Sequence, residues 1–289
     1  VTVVPAVPSL PQLPPHGADW YLVDGELTAG PLVLDGVEGR HAATVKRART
    51  GETLVLTDGR GNWAPATVIG TDRGTVRLES AAPHHVPPPA VTVTAVQALP
   101  KGERSELAVE LLTEAGVDRI VPWQAQRCVA RWVGPKVLKG QQKWQQAARQ
   151  AAKQSRRPWV PVVDEPAGTA ELATLVRDAD LALVLHEDAA ESVALQDIPL
   201  PSAGTVLLVI GPEGGVCAAE LQALTGAGAR PARLGPQVLR TSTAGAVALG
   251  ALGVLTDRWR PTDPASVLAL PDRSAAEPTL PDRPTGREA

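Results

Sequence analysis

Two loops in the C-terminal half carry the residue types from which chemistry could be built. The run Leu208-Val-Ile-Gly-Pro-Glu-Gly-Gly-Val216 joins an apolar stretch to a glycine-bearing turn and then to a helical pattern. Its echo is Arg233-Leu-Gly-Pro-Gln-Val-Leu-Arg-Thr-Ser-Thr-Ala244. Gly211, Gly214 and Gly215 have no Cβ, so backbone amides and carbonyls can come close to a ligand there. Glu213 could accept hydrogen bonds from a ribose or organise its own loop. Arg240 stays protonated and is no base, but it suits a phosphate or the carbonyl of a nucleobase. One hydroxyl among Thr241, Ser242 and Thr243 is expected to cap the helix that follows. His186-Glu187-Asp188, after the apolar run 181–185, offers groups for acid–base work or a ligand contact. One histidine and two carboxylates lack a further metal partner, so no metal is expected. Neither loop is Gly-x-Gly-x-x-Gly or a Walker phosphate loop, which argues against a dehydrogenase or a nucleotide hydrolase. Two such loops at the carboxyl ends of strands point instead to a small-molecule cofactor.

The elements that must position these loops fall into two groups. Short strand patterns at 20–23, 31–34, 53–57, 64–69 and 74–78 are separated by turn signals such as Asp24-Gly25, Asp35-Gly36 and Asp58-Gly-Arg-Gly61. With a short helix at 41–49, they predict a mostly-β domain, plausible as a barrel, over 18–82. Prolines 83, 87, 88 and 89 mark a linker at 83–90, where His84-His85 reads as surface turn. From 91 to 260, strands (91–99, 119–122, 181–185, 205–210, 231–234) alternate with helices (103–115, 141–156, 171–178, 218–225, 241–255). That alternation predicts an α/β domain with a mostly parallel sheet. The last helix is rich in small residues, including Ala244, Gly245, Ala248, Gly250 and Gly253, and should pack closely on another element. Proline-rich flanks suggest a flexible arm at 1–17 and a disordered tail at 261–289.

The chain of 289 residues has a net charge of -3, yet its positive charge is concentrated. Ten Lys or Arg residues and no Asp or Glu lie between Arg119 and Arg157. Such a run favours a phosphate-backbone partner over an ordinary solvated face. Arg149, Lys153 and Arg156 share one helix face, and Trp144, Ala148 and Ala151 share another. Trp123, Trp132 and Trp159 could stack on bases, although core or interface packing is the commoner fate of tryptophan. No helix-turn-helix or zinc-finger spacing accompanies the charge, so double-stranded DNA is disfavoured. Two cysteines, Cys128 and Cys217, fit neither a disulfide framework nor a thiolate metal site. Apolar segments are too short for a membrane span, and no leader pattern opens the chain, so a cytoplasmic protein is expected. Met and Phe are absent, which leaves Leu, Val and seven tryptophans to fill the cores.

These motifs, in this order, resemble the RsmE family of small-subunit (16S) ribosomal RNA uridine-N3 methyltransferases. The strongest match is Ile210-Gly-Pro-Glu-Gly-Gly215 with Leu234-Gly-Pro-Gln-Val-Leu-Arg-Thr241. Gln97-Ala-Leu-Pro-Lys101, Glu114-Ala-Gly116, Gln126-Arg-Cys128, and Lys143-Trp followed by Gln154-Ser-Arg-Arg157 match as well. So do His41-Ala-Ala-Thr-Val-Lys-Arg47 and Asp58-Gly59, and the likeness spans about residues 18–259. It implies an N-terminal PUA-like β-barrel and a C-terminal SPOUT methyltransferase domain with a trefoil knot, active as a homodimer. Periodicity alone would reject a knot. The implied cofactor is S-adenosylmethionine, held by Leu185, His186, Ile210, Gly211, Glu213, Gly214, Gly215, Leu234, Gly235, Val238, Leu239, Arg240 and Thr241. Arg240 is the leading catalytic candidate, and Glu213 and His186 are weaker ones. RNA contact is expected from Lys46, Arg47, Lys101, Arg127, Arg131, Lys143, Arg149, Lys153, Arg156 and Arg157. The expected partner is small-subunit RNA or the assembled 30S subunit.

Many members of that family have Arg-Thr-Glu-Thr-Ala where this chain has Arg240-Thr-Ser-Thr-Ala244, so a carboxylate at 242 cannot be required here. Two other readings stay open: methylation of another RNA position, and a noncatalytic RNA-binding module that keeps the fold.

Overall fold

The computed structural model describes residues 17–102, 104–187 and 192–259; the arm expected at 1–17 (all but Gly17), Asp188 and the tail expected at 261–289 lie outside them. The N-terminal strands are β1 (Trp20–Leu22), β2 (Gly30–Leu34), β3 (Thr53–Thr57), β4 (Asn62–Asp72), β5 (Thr75–Ser80) and β6 (His84–His85). They pair in the order β1-β3-β4-β5-β2 with β6 on β4, antiparallel except for β1 with β3. Alternation drives the burial: in β5, Val76 and Leu78 face inward while Arg77 and Glu79 face out. Tyr21, Leu54, Leu56, Val68, Val76 and Leu78 form the core of this sheet.

Two local expectations need correction here. The helix expected at 41–49 begins earlier, as α1 (Gly36–Arg40), and continues into a π-helical turn, His41–Val45. Gly39 permits this, because a Cβ there would lie 2.4 Å from the Leu34 carbonyl oxygen. His84 and His85, expected as surface turn in a linker, add a strand to the sheet. His84 stacks on Trp63 with ring centroids 4.6 Å apart, and His85 Nδ1 lies 2.9 Å from Asn62 Oδ1.

The second sheet contains β7 (Val91–Ala98), β8 (Arg119–Trp123), β9 (Val162–Val163), β10 (Leu181–Leu185), β11 (Val193–Ala194), β12 (Gly204–Ile210) and β13 (Arg230–Arg233). Its order is β11-β13-β10-β12-β7-β8-β9, and every pairing is parallel. Leu181-Ala-Leu-Val184 and Val206-Leu-Leu-Val-Ile210 are buried without a break, as strands covered on both faces must be. The covering helices are α2 (Arg104–Glu114), α3 (Pro135–Gln154), α4 (Thr169–Asp178), α5 (Ala218–Gly226) and α6 (Thr241–Leu255).

Helix α3 starts at Pro135 rather than near Gln141. Proline suits the first helical position, where its missing N–H costs nothing. The ring of Trp132 then lies over Gly140 and meets Trp144 edge-on at 5.1 Å, and the Trp144 indole donates to Ser105 Oγ at 2.8 Å. Helix α6 uses its glycines for close approach: a Cβ at Gly245 would lie 2.6 Å from Leu112 Cδ2 on α2. The intrinsic cost of such a glycine is about 1 kcal/mol, which close packing offsets.

The two sheets are joined directly. Val160 N–H donates to the Gly59 carbonyl at 3.0 Å, and Gly61 N–H donates to the Pro158 carbonyl at 2.9 Å. The Trp159 indole donates to the Val86 carbonyl at 2.8 Å, so this tryptophan packs at the junction. Trp123 and Trp144 are wholly buried in the second core.

Candidate active site

Strands β13, β10 and β12 are neighbours and parallel, so their carboxyl ends open on the same edge of the sheet. Ligands of open α/β sheets bind outside such ends. A cavity of about 220 Å³ sits there. From the end of β10 it takes Leu185 and His186, and from β12 and the following loop it takes Ile210, Gly211, Gly214 and Gly215. From the β13–α6 loop it takes Leu234, Gly235, Val238, Leu239 and Thr241.

The loops owe their shape to specific residues. Gly215 has φ +73°, a left-handed conformation, and its N–H closes a turn on the Pro212 carbonyl at 2.8 Å. A Cβ at Gly211 would lie 2.8 Å from Val216 Cγ2. A Cβ at Gly235 would meet only Gln237 Oε1, at 3.5 Å, so any side chain there would have cavity space to fill. His186 N–H donates to the Ala232 carbonyl at 3.0 Å and so fixes the turn out of β10.

Two residues expected around the cofactor stand outside the cavity. Glu213 is exposed, and its Oε1 accepts from the Lys101 backbone N–H at 3.2 Å. Of the two roles its position allowed, loop organisation is the one this bond serves. Arg240 is an exposed residue before the first turn of α6, with its carbonyl accepting from the N–H groups of Thr243 and Ala244. None of the expected hydroxyls caps α6 from the N-cap position, because Arg240 occupies it. Ser242, at the position where the family often has glutamate, is buried.

The basic residues separate into several kinds. Lys153 and Arg157, expected at an RNA surface, are corrected to structural residues. The Lys153 ammonium reaches the Glu38 carboxylate at 2.7 Å with both side chains largely buried, and so pins α3 to α1. Arg157 donates to the carbonyls of Thr113 (2.5 Å) and Val117 (2.8 Å), serving the C-terminal end of α2. Burial pulls its pKa down to about 10, which leaves it charged at neutral pH. Lys46 pairs with Asp19 at 2.7 Å, Lys143 with Glu106 at 3.5 Å and Arg149 with Asp24 at 3.3 Å. These are surface pairs, which contribute little to stability and can exchange for phosphate. Arg47, Lys101 and Arg156 are exposed, and Arg131 donates to the Gln126 carbonyl at 2.8 Å.

Arg127 was placed by sequence among the RNA contacts, yet it also lines the cavity and donates to the Gly214 carbonyl at 2.9 Å. Glu220 belongs to none of the motifs singled out in the sequence. It is buried, and it accepts from Cys217 N–H (3.2 Å), Gln126 N–H (2.8 Å) and Thr169 Oγ1 (3.2 Å). The available signal was Cys217-x-x-Glu220 at a helix start, half of a capping box with cysteine in the usual serine place. Both cysteines are buried, and burial raises the Cys128 pKa. Among the described residues, no group of three His, Cys, Asp or Glu could hold a metal, and no helix is long and apolar enough to cross a membrane.

Comparisons with known proteins agree with this geometry. Residues 87–253 match the RNA methyltransferase domain, and residues 34–79 match the RNA methyltransferase PUA domain. The N-terminal region is therefore PUA-like, and the parallel sheet belongs to a methyltransferase domain. The ribosomal RNA small subunit methyltransferase E of Mycobacterium tuberculosis is 54% identical over 236 residues, covering 80% of this chain and 89% of that protein. The Bacillus subtilis protein of the same name is 29% identical, covering 78% and 91%. Among solved structures, the Neisseria gonorrhoeae ribosomal RNA small subunit methyltransferase E bound to S-adenosylmethionine superposes with a TM-score of 0.75 at 28% identity, covering 82% of this chain and 98% of that one. A Legionella pneumophila methyltransferase in complex with the same cofactor gives 0.74 at 31% identity, covering 83% and 98%. The chain belongs to the ribosomal RNA small subunit methyltransferase E family.

Proposed function

We propose that this protein methylates N3 of a uridine in 16S ribosomal RNA, using S-adenosylmethionine, as free RNA or within the 30S subunit in the cytoplasm. The observation that carries this reading is the cavity at the ends of β10, β12 and β13, walled by two glycine loops. Its residues fit the cofactor. Apolar side chains (Leu185, Ile210, Leu234, Leu239) can cover an adenosine, and glycines leave backbone groups within reach. When bound, S-adenosylmethionine supplies an electrophilic methyl group.

The chain's own residues must then hold the target base in line with that methyl and favour the uracil anion left when N3 loses its proton. Arg127 at the cavity wall and Arg240 at its margin supply permanent positive charge for that anion. Ser242 provides no carboxylate. His186 lines the cavity and is the candidate proton acceptor; Glu213, turned toward Lys101, is a weaker one. Exposed Arg47, Lys101 and Arg156, together with the exchangeable pairs of Lys46, Lys143 and Arg149, form the phosphate-facing set. Nucleoside mass spectrometry of 16S RNA after incubation with protein and cofactor tests the proposal. Methylation at a base position other than uridine N3 would move the assignment elsewhere on the RNA, and no methylation of free RNA or of 30S subunits would refute it.

Two finer features of the family fold are part of the same reading. The 234–240 segment leaves β13, crosses the edge where β10 and β12 end, and enters α6, which packs on α2. The loops after β10 and β12 leave that same edge and line the same cavity, the arrangement in which we place the trefoil knot that the family resemblance implies. A homodimer through α6 is supported by a large open groove lined by Val247, Val254, Leu255 and Trp259, each about half exposed or more. Sedimentation showing a monomeric, active protein would reject the dimer. We place the domain boundary within the expected 83–90 segment, after His85, because His84–His85 pairs with β4 and the next strand is β7.

A further inference from the structure

We infer that Glu220 is a positioning residue that fixes Arg127 at the wall of the cofactor cavity and so couples the basic segment to the reacting centre. The inference rests on the reading of the cavity given above. Of the ten basic residues between Arg119 and Arg157, Arg127 is the one that lines the cavity. It reaches there from the exposed tip of a turn that Cys128 N–H closes on the Ala125 carbonyl at 3.1 Å, and a bond to that tip from outside the turn sets where its side chain goes. A guanidinium acts on developing charge only when held in one place.

The holding group is a buried carboxylate with three donors from three segments. Glu220 Oε1 accepts from Gln126 N–H at 2.8 Å and from Thr169 Oγ1 at 3.2 Å, and Oε2 accepts from Cys217 N–H at 3.2 Å. A second leg runs the other way, with the Cys217 thiol donating to Gln126 Oε1 at 2.8 Å. Gln126 is thus clamped by both backbone and side chain, one residue before Arg127. The Arg127 guanidinium then spans to the Gly214 carbonyl at 2.9 Å, and its Cβ would lie 3.2 Å from a Cβ on Gly214. The carboxylate of Glu220 is required because every partner is a donor; an amide would turn its own N–H₂ toward one of them.

The test is a double-mutant cycle on the full chain, using Glu220→Gln, Arg127→Ala and the pair. Single-turnover transfer is read at saturating 16S RNA and cofactor, and hydrogen exchange of the 125–128 amides is read without cofactor. Glu220→Gln should slow transfer by about tenfold and raise exchange at 125–128, while Arg127 is present. In the Arg127→Ala background the same change should cost nothing further in rate. Equal losses in both backgrounds would make Glu220 a general structural residue and overturn the inference, as would an unchanged rate for Arg127→Ala alone. Should Glu220→Gln fail to fold, Cys217→Ala removes the second leg and is read in the same cycle. Failure of the cofactor reading is separate, because it appears as absent S-adenosylmethionine binding by the wild-type protein in calorimetry.

Discussion

The edge of the parallel sheet and the basic face of α3 both concentrate unusual residues, but they use different parts of them. At the sheet edge the backbone does the shaping. Gly211, Gly214, Gly215 and Gly235 matter for the side chains they lack, and the cavity follows from where three strands stop. On and beside α3 the side chains act separately, and neighbours one turn apart have unrelated tasks. Lys153 is buried against Glu38, Arg149 makes a surface pair with Asp24, and Arg156 is exposed. A ligand site built from backbone tolerates little change in position; a charged face built from side chains can lose one member and keep its sign.

The sharpest way to break this contrast is Lys153→Ala. Its side chain is 4% exposed and that of its partner Glu38 is 14% exposed, so removing the lysine strands a carboxylate largely out of water. We expect a loss of about 3 kcal/mol in urea denaturation, with the N-terminal sheet loosened from α3. Arg156→Ala, three residues on, should shift stability by less than about 0.5 kcal/mol. Similar losses for both would mean that α3 is uniform after all.

The cavity side is sharpened by Gly235→Val. With only Gln237 Oε1 near the added Cβ, the extra methyls should occupy ligand space rather than strain the protein. S-adenosylmethionine affinity should fall by at least about tenfold, roughly 1.4 kcal/mol, with the melting temperature unchanged. Unaltered affinity in calorimetry would move the cofactor away from this loop. A smaller effect is expected of Arg149→Ala with Arg156→Ala, Lys153 being kept. The pair should lower the salt slope of 16S RNA binding by about 1.5, without changing which nucleotide is methylated. An unchanged slope would return these residues to an ordinary solvated face.

What could be read from the residues follows the same division. Leu181–Leu185 and the apolar run ending at Ile210 announce themselves because strands buried on both faces must be continuously apolar, and the loops after them follow from their glycines. Helix α3 was read short because its first turn, Pro135-Lys-Val-Leu-Lys139, shows no buried periodicity; Leu138 is 64% exposed. The burial of Lys153 depends on Glu38, a residue 115 positions away, and no local pattern encodes that pairing. His84 gave no sign of its strand, because the stabilising partner is the Trp63 ring across the sheet. Arg127 and Arg131 carry the same charge in the same run, and tertiary bonds separate them: Arg127 donates to the Gly214 carbonyl at the cavity, Arg131 to the Gln126 carbonyl beside it.

Glu213→Gln should have the smallest effect, and it tests whether the sheet edge works through backbone alone. The carboxylate sits inside the most distinctive motif of the chain, where a proton acceptor for uridine N3 would be attractive. Its geometry argues otherwise: the residue is exposed, lies outside the cavity wall and accepts a single backbone N–H, from Lys101 at 3.2 Å. A glutamine keeps an acceptor oxygen for that bond, so the loop should hold its shape. We expect single-turnover transfer to fall by less than about twofold, within about 0.5 kcal/mol, with the same pH dependence as the wild type. If instead the rate dropped by orders of magnitude and the acidic limb of the pH profile vanished, Glu213 would be the base, and one side chain in the glycine loop would act on the substrate directly. The neighbouring glycines would then serve to place that carboxylate as much as to admit the cofactor.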